Sequence, residues 1–324
     1  MRSSVSTIAR RAYRAYCEGA GENSFARIFA PVQQTFSNFN NAVMLTGGPA
    51  AGSYVMIESG GFQSFSGPSS FNVTLTGGGI EGAPVGNAGA IIQGHGQSFS
   101  CGTNCMLTLN GGTGLAGAPS DAAFRNLSGG QSIQAGGIAL NGGHAHSTTG
   151  FLNAATASSG QTITTTNSAT GDLTLTSHAN GLASASVLIQ DLAAEEPGID
   201  VAGPGQEITS ARGILLDNRA ASVLGITSVN SQTVLAQFVD VLTSAGSTGD
   251  AIFSADGFQW IRTTNGALGP ASLRAAALGS GLASIHSSAT QLLEIDYREI
   301  ATGTMPPPPG SIVIGDVAGA GVSR

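Results

Sequence analysis

Gln63-Ser64-Phe65-Ser66 returns as Gln97-Ser98-Phe99-Ser100, Gln131-Ser132-Ile133-Gln134, Gln161-Thr162-Ile163-Thr164 and Gln206-Glu207-Ile208-Thr209. The glutamines stand 34, 34, 30 and 45 residues apart. A second phrase keeps step with the first: Val73-Thr74-Leu75-Thr76, Leu107-Thr108-Leu109-Asn110, Ile138-Ala139-Leu140-Asn141 and Leu173-Thr174-Leu175-Thr176. A third, looser one reads Ala90-Ile91-Ile92-Gln93, Ala123-Phe124-Arg125-Asn126, Val187-Leu188-Ile189-Gln190 and Ile214-Leu215-Leu216-Asp217. Self-similarity at a near-fixed period marks stacked structural units. Each phrase alternates apolar and polar residues, the period-two pattern of a half-buried strand. Glycine runs such as Gly77-Gly78-Gly79, Gly111-Gly112 and Gly142-Gly143 separate the phrases and supply the backbone freedom that tight corners need. A unit therefore reads as strand, turn, strand, loop, strand, loop, and about four units fill residues 60–217.

One such unit cannot bury an apolar face alone. Stacking in parallel register would set Phe65, Phe99, Ile133, Ile163 and Ile208 in one internal column. Leu75, Leu109, Leu140 and Leu175 would make a second. That is the logic of a parallel β-solenoid, in which each unit touches only its neighbours. An antiparallel sandwich or barrel is the alternative, and loops that look long for hairpins favour the solenoid. The expected fold class is mainly β: a repeat array with N-terminal helices and a small α+β C-terminal region. The expected division is 1–45 helical arm or cap, 46–220 β-repeat domain, 221–303 α+β region, and 304–324 Pro-rich spacer with a terminal strand.

The helices rest on spacing. Arg2, Arg10, Arg11 and Arg14 precede the first acid, Glu18, and Ala9, Ala12, Tyr13, Tyr16 and Cys17 share one helical face. This basic start has no apolar h-region, so a secretory signal is not expected, although its composition matches a transit peptide. Phe25, Ile28, Phe29, Val32, Phe36 and Phe39 form an aromatic stripe at helical spacing, with Pro31 as a kink or restart. Val234, Leu235, Phe238, Val239 and Leu242 predict a helix over 231–242, and Ala271 to Ser287 predicts another. Asp256-Gly257, between two apolar runs, signals a hairpin. Leu293, Ile295 and Tyr297 alternate as a strand. Asp191 to Gly205, with Glu195, Glu196 and Asp200, reads as a loop insertion. Pro306–Pro309 is a stiff spacer leading to the strand Ser311-Ile312-Val313-Ile314-Gly315, suited to a neighbouring copy's sheet edge or to its own domain.

Charge is scarce. The 324 residues include 48 Gly and only 10% charged side chains, against about 7% and 25% in average globular chains. All twelve basic residues are Arg, and Ser59 to Gln190 carries only Glu81, Asp121, Arg125 and Asp172. Mean hydropathy is +0.17, which excludes a charged disordered chain. Soluble monomers keep apart from their copies through interspersed charge. A neutral Ser/Thr/Asn/Gly surface favours self-assembly, a monomer with an uncharged hydrophilic surface being the alternative.

Candidates for chemistry are few. Cys101 and Cys105 bracket Gly102-Thr103-Asn104, close enough for a small loop disulfide or two free thiols, with Cys17 left over. His144, His146 and His178 follow the second strand of adjacent units, where three imidazoles could bind a transition metal. Loop-tip histidines on a variable surface are the default reading, so no metal and no cofactor is expected. Glu195, Glu196, Asp200, Glu207, Arg212, Asp217 and Arg219 read as a solvated loop. A glycosidase needs two carboxylates about 5–10 Å apart, and the repeat body offers almost none. No nucleophile elbow, P-loop or dinucleotide fingerprint occurs, so an enzyme is not expected. The Thr-x-Thr runs at 162–166 and 174–176 resemble those of ice-binding solenoids but do not recur in every unit, and β-propensity accounts for them.

Over residues 60–217 the phrases resemble, in architecture, phage β-helical fibre and spike proteins and the strand repeats of filamentous haemagglutinins. This resemblance implies a structural subunit of a large assembly, with a virion fibre, spike or capsid-decorating protein leading. A cell-surface adhesin or extracellular filament is the alternative, and a carbohydrate-active β-helix stands third. Further copies, other structural subunits and a surface glycan are the expected partners, with no strong nucleic-acid or transmembrane signal. The expected location is the virion or the cell exterior. Assembly contacts are expected at Arg10, Arg11, Arg14, Phe25, Phe29, Phe36, Ile312, Val313 and Ile314.

Overall fold

A computed structural model describes residues 5–9, 14–16, 25–37, 42–67, 72–153, 160–192, 205–265, 271–296 and 311–316. Among the described residues there are strands and turns and no helix. Every strand-to-strand ladder is parallel. Parallel strands need a crossover between neighbours. Here each crossover is supplied by two further strands of the same unit, so a strand pairs about 30 residues along the chain.

The strands make one sheet of ten and one of seventeen. The ten-stranded sheet is the line of the second phrase, from Arg14–Tyr16 through Val73–Thr76 and Gly213–Asn218 to Ser311–Asp316. The larger sheet holds two lines, that of the glutamine phrase and that of the third phrase. They are joined because Ala90–Ser100 and Ala122–Ala135 each run from one into the other. The ladders therefore continue from Val5 to Asp316, through positions 45 and 220.

Register places the apolar residues in columns. Along the glutamine line Phe36, Phe65, Phe99, Ile133, Ile163, Ile208, Val234, Ile261 and Leu293 succeed one another. Leu45, Leu75, Leu109, Leu140, Leu175, Leu216 and Val241 do so along the second line. Ile57, Ile92, Phe124, Phe151, Ile189, Ile226 and Phe253 form the third column. The three columns meet in one core cluster. Phe36 stacks on Phe65 at 4.6 Å, and Phe124 lies edge-on to Phe99 and Phe151, both at 5.8 Å.

From Gln34 to Gln259 the glutamine that opens each phrase is buried beside this core, whereas Gln291 at the end of the row is exposed. Gln63 donates Nε2–H to Oε1 of Gln34, Gln97 to Gln63, Gln131 to Gln97, Gln161 to Gln131, Gln206 to Gln161, Gln232 to Gln206, and Gln259 to Gln232, at 2.5–3.2 Å. Gln291 donates to Gln259 in the same sense. The direction has a cause. In several units the same Nε2 also reaches a carbonyl of the third line: Ile57, Ile92, Phe151 or Thr227, at 3.2–3.4 Å. The amide nitrogen must face that carbonyl, which leaves Oε1 for the next unit. Buried amides are tolerated when so satisfied. A shorter row, Asn126 to Asn153 to Asp191, bonds the next corner at 2.7 and 2.9 Å.

Several expectations are corrected. The basic start is not a helix where it is described: Val5–Ala9 and Arg14–Tyr16 are strands. The stripe from Phe25 to Phe36 is no helix: Ala26–Ala30 and Gln33–Ser37 are strands, with Pro31 in the corner between them. Residues 231–242 form the strands Gln232–Ala236 and Phe238–Thr243, and 271–287 form Ser272–Ala277 and Ala283–Ser287. The C-terminal region is thus β rather than α+β, and the antiparallel alternative falls with the parallel ladders. Asp256-Gly257 does not close a hairpin, because Ala251–Ala255 pairs with Ala283–Ser287 while Gln259–Thr264 pairs with Gln291–Asp296. Two phrase alignments also shift. Phe124, not Arg125, matches Ile92, and Ile214–Asp217 belongs to the second line. Cys17, Phe39, Glu195, Glu196, Asp200, Tyr297 and Pro306–Pro309 lie outside the described residues.

Candidate functional site

The outward positions carry what the chain shows to its surroundings. Along the second line Thr74, Thr108, Ala139 and Thr174 are in register, as are Thr46, Thr76, Asn110, Asn141 and Thr176. Along the glutamine line Ser64, Ser98, Ser132 and Thr162 do the same. Asn141 donates to Asn110 at 2.9 Å and Asn110 to Thr76 at 3.4 Å. From Thr46 and Ser64 to Thr176 these columns are hydroxylic and amidic apart from Ala139 and carry no formal charge; Arg14 stands ahead of them on the second line through Met44, and Glu207, Asp217 and Asp240 follow.

The third line is different at its N-terminal side. The residue just before its strand is Phe25, Tyr54, Gly89 and Asp121 in successive units, placed by Ala26, Val55 and Ala90 each donating N–H to the next unit's residue in that series. Phe25 and Tyr54 stack at 5.3 Å with rings 7° apart. Gly89 then leaves a gap where a side chain would stand, and Asp121 closes it. The resulting groove holds about 480 Å³ and is lined by Phe25, Tyr54, Met56, Ile91, Asn87 and Arg125, among others. Arg125 pairs with Asp121, and Thr148 N–H donates to Asp121 Oδ1 at 2.7 Å. Burial raises the Asp121 pKa above the usual carboxylate range, opposed by the Thr148 amide and by Arg125. Beside the groove Arg27 donates to Glu58 at 2.7 Å and lies over the Phe29 ring at 4.6 Å.

Of the expected contacts, Phe25 is 60% exposed and Phe29 50%, whereas Phe36 is buried at 2% in the core. Phe36 is therefore corrected from surface contact to core residue. Arg14 and Ile312, Val313 and Ile314 stand in paired strands of the same chain. Arg10 and Arg11 lie outside the described residues. The Sγ atoms of Cys101 and Cys105 are bonded, their Cα atoms 5.9 Å apart, at the corner between Gln97–Ser100 and Met106–Asn110.

His144 and His178 meet edge to face at 5.7 Å, and His144 Nε2 is 3.8 Å from Glu81 Oε1. Asn180 bonds both partners, donating its amide to Glu81 at 3.2 Å and its backbone N–H to His178 Nδ1 at 3.2 Å. His146 takes a positive φ of 44°. Among the described residues no three His, Cys, Asp or Glu side chains are arranged to hold a metal ion. Of the described residues of the acidic cluster, Arg219 pairs with Asp217 at 2.7 Å, and Arg212 pairs outside the cluster with Asp172 at 3.5 Å. Among the described residues no helix is long and apolar enough to cross a membrane.

Fold and surface together define a mainly β protein of stacked parallel units. No protein-family model, curated protein or solved structure matches the chain.

Proposed function

We propose that the units wind as a parallel β-solenoid and that the chain serves as a structural subunit of a large assembly, with a virion fibre, spike or decoration protein as the leading setting. The observation carrying this reading is the pair of neutral outward faces, hydroxyl and amide ladders in register over consecutive units. Such a face meets another surface without a charge to desolvate, and the Asn141–Asn110–Thr76 bonds occupy amide groups within it. The Gln row supports a rod role, because it ties each unit to the next beside the core.

Light scattering after gel filtration, with negative-stain microscopy, tests the proposal. Assemblies at multiples of 32.1 kDa are expected. Thr74→Lys, Thr108→Lys and Ala139→Lys together should dissolve them by aligning like charges about 5 Å apart on three consecutive strands of the ladder. A wild-type monomer at every accessible concentration overturns self-assembly.

A second reading, a cell-surface adhesin or extracellular filament, draws support from the Cys101–Cys105 bond. Disulfides persist in oxidising compartments. Recovery of the oxidised protein from the cell exterior would favour it, and reduced protein confined to the cytosol would remove it.

A further inference from the structure

We propose that the groove at the N-terminal side of the third line is a binding site for a neutral saccharide, with the Phe25–Tyr54 pair as its stacking platform and the Asp121–Arg125 pair as its polar wall. This does not rest on the assembly reading.

The site is made by one missing side chain. In the series Phe25, Tyr54, Gly89, Asp121 a larger residue at the third place would fill the space between the rings and the carboxylate. Glycine is favoured there by crowding: an ideal Cβ would lie 3.1 Å from the Asp121 backbone carbonyl oxygen and 3.5 Å from Ile91 Cδ1. With glycine, the ligand-sized gap is bounded by a flat aromatic shelf on one side and an ion pair on the other. Met56 and Ile91, paired in register on adjacent strands, add an apolar part to the lining. A volume near 480 Å³ falls within the range of small-molecule sites, about 300–1,000 Å³.

The lining chooses the class of ligand. A pyranose presents C–H groups on its faces and hydroxyls around its rim, so it needs a ring to stack on and donors and acceptors beside that ring. Tyr54 supplies the first with the ring face turned from Phe25 toward Gly89, and Phe25 stacks behind it as backing. Arg125 uses Nη2 on Asp121 and keeps further N–H donors on its guanidinium for hydroxyl oxygens. The exposed Asn87, held at φ 53° on the rim, offers an amide with both donor and acceptor. Charge selects against anionic sugars, because Asp121 already neutralises the one cation lining the groove. A wholly apolar ligand would not use the remaining Arg125 N–H donors or the Asn87 amide.

The test is a printed array of neutral and uronic-acid-containing oligosaccharides, followed by isothermal titration with the best neutral ligand. Wild-type protein should bind neutral glycans. Tyr54→Ala should weaken the interaction roughly tenfold or more, and Phe258→Ala, an exposed ring elsewhere, should leave it unchanged. Phe25→Ala carries the same test should Tyr54→Ala fail to fold, since the Phe25 ring is largely exposed. Binding of acidic glycans alone, no glycan binding, or neutral binding that survives both ring deletions overturns the proposal. Each of these outcomes is independent of whether the chain assembles.

Discussion

Gln161→Leu is the sharpest probe of what holds successive units in register. Leucine has nearly the volume of glutamine but neither donor nor acceptor. The substitution deletes the bond to Gln131 at 2.7 Å and the one received from Gln206 at 2.7 Å. It also withdraws Nε2 from the Phe151 and Gln190 carbonyls, at 3.3 and 3.2 Å. Two neutral bonds contribute about 0.5–1.5 kcal/mol each, and a buried acceptor left alone costs about 1–3 kcal/mol. Gln131 Oε1 is stranded in this way, whereas Gln206 Nε2 retains the Thr227 carbonyl at 3.3 Å. Added apolar burial offsets part of the loss, about 1 kcal/mol. The net expectation is a destabilisation of about 2–4 kcal/mol, read as a lower urea midpoint at unchanged m. Thr162→Val, one residue on but facing outward, should stay within about 0.5 kcal/mol. Gln131→Leu combined with Gln161→Leu should cost less than the sum, because the stranded acceptor is itself removed. If Gln161→Leu matched Thr162→Val, or if the pair added without coupling, the row would be a packing coincidence rather than a stabilising device.

Other outcomes follow from the same geometry. Phe124→Ala should cost about 3–5 kcal/mol in the same urea assay, since the ring bridges Phe99 and Phe151 in the core; a loss under 1 kcal/mol would mean that the site collapses freely. Reducing Cys101–Cys105, which closes a short loop, should lower stability by roughly 2 kcal/mol on chain-entropy grounds. Thiol titration of the oxidised, denatured protein should find only Cys17, and three reactive thiols would show that the bond does not form. Asp240 has its pKa raised by burial, with Arg274 opposing. Its folded form therefore holds the proton more tightly than the unfolded chain, and it costs stability once pH rises through the folded pKa. Asp240→Asn should accordingly flatten the decline in stability from acid toward neutral pH; a steeper decline would refute the assignment of burial as the dominant cause.

How much of this was legible in the sequence depends on which face a residue occupies. The glutamine and the apolar residue two places on both point inward, and they persist because the row and the core constrain them. Gln34-Thr35-Phe36, Gln232-Thr233-Val234, Gln259-Trp260-Ile261 and Gln291-Leu292-Leu293 obey the same rule. They escape notice because their outward partners change freely, to Trp260, Arg262 or Glu294. Reading inward positions alone would have extended the array over almost the whole chain. The false helices have a related origin. Val234 and Ala236 face the core, the chain turns at Gln237, and Val239 and Val241 face it again. One corner residue shifts the phase of a period-two pattern, and two short strands then imitate a spacing of three and four. Pro31 and Val32 do the same between Ile28 and Phe36. The groove was beyond such reading for a different reason. Phe25, Tyr54, Gly89 and Asp121 lie 29 to 35 residues apart and share nothing local. Only the register of the third line, which the looser phrase left one residue out of step at Phe124, brings a ring, a gap and a carboxylate to consecutive rungs.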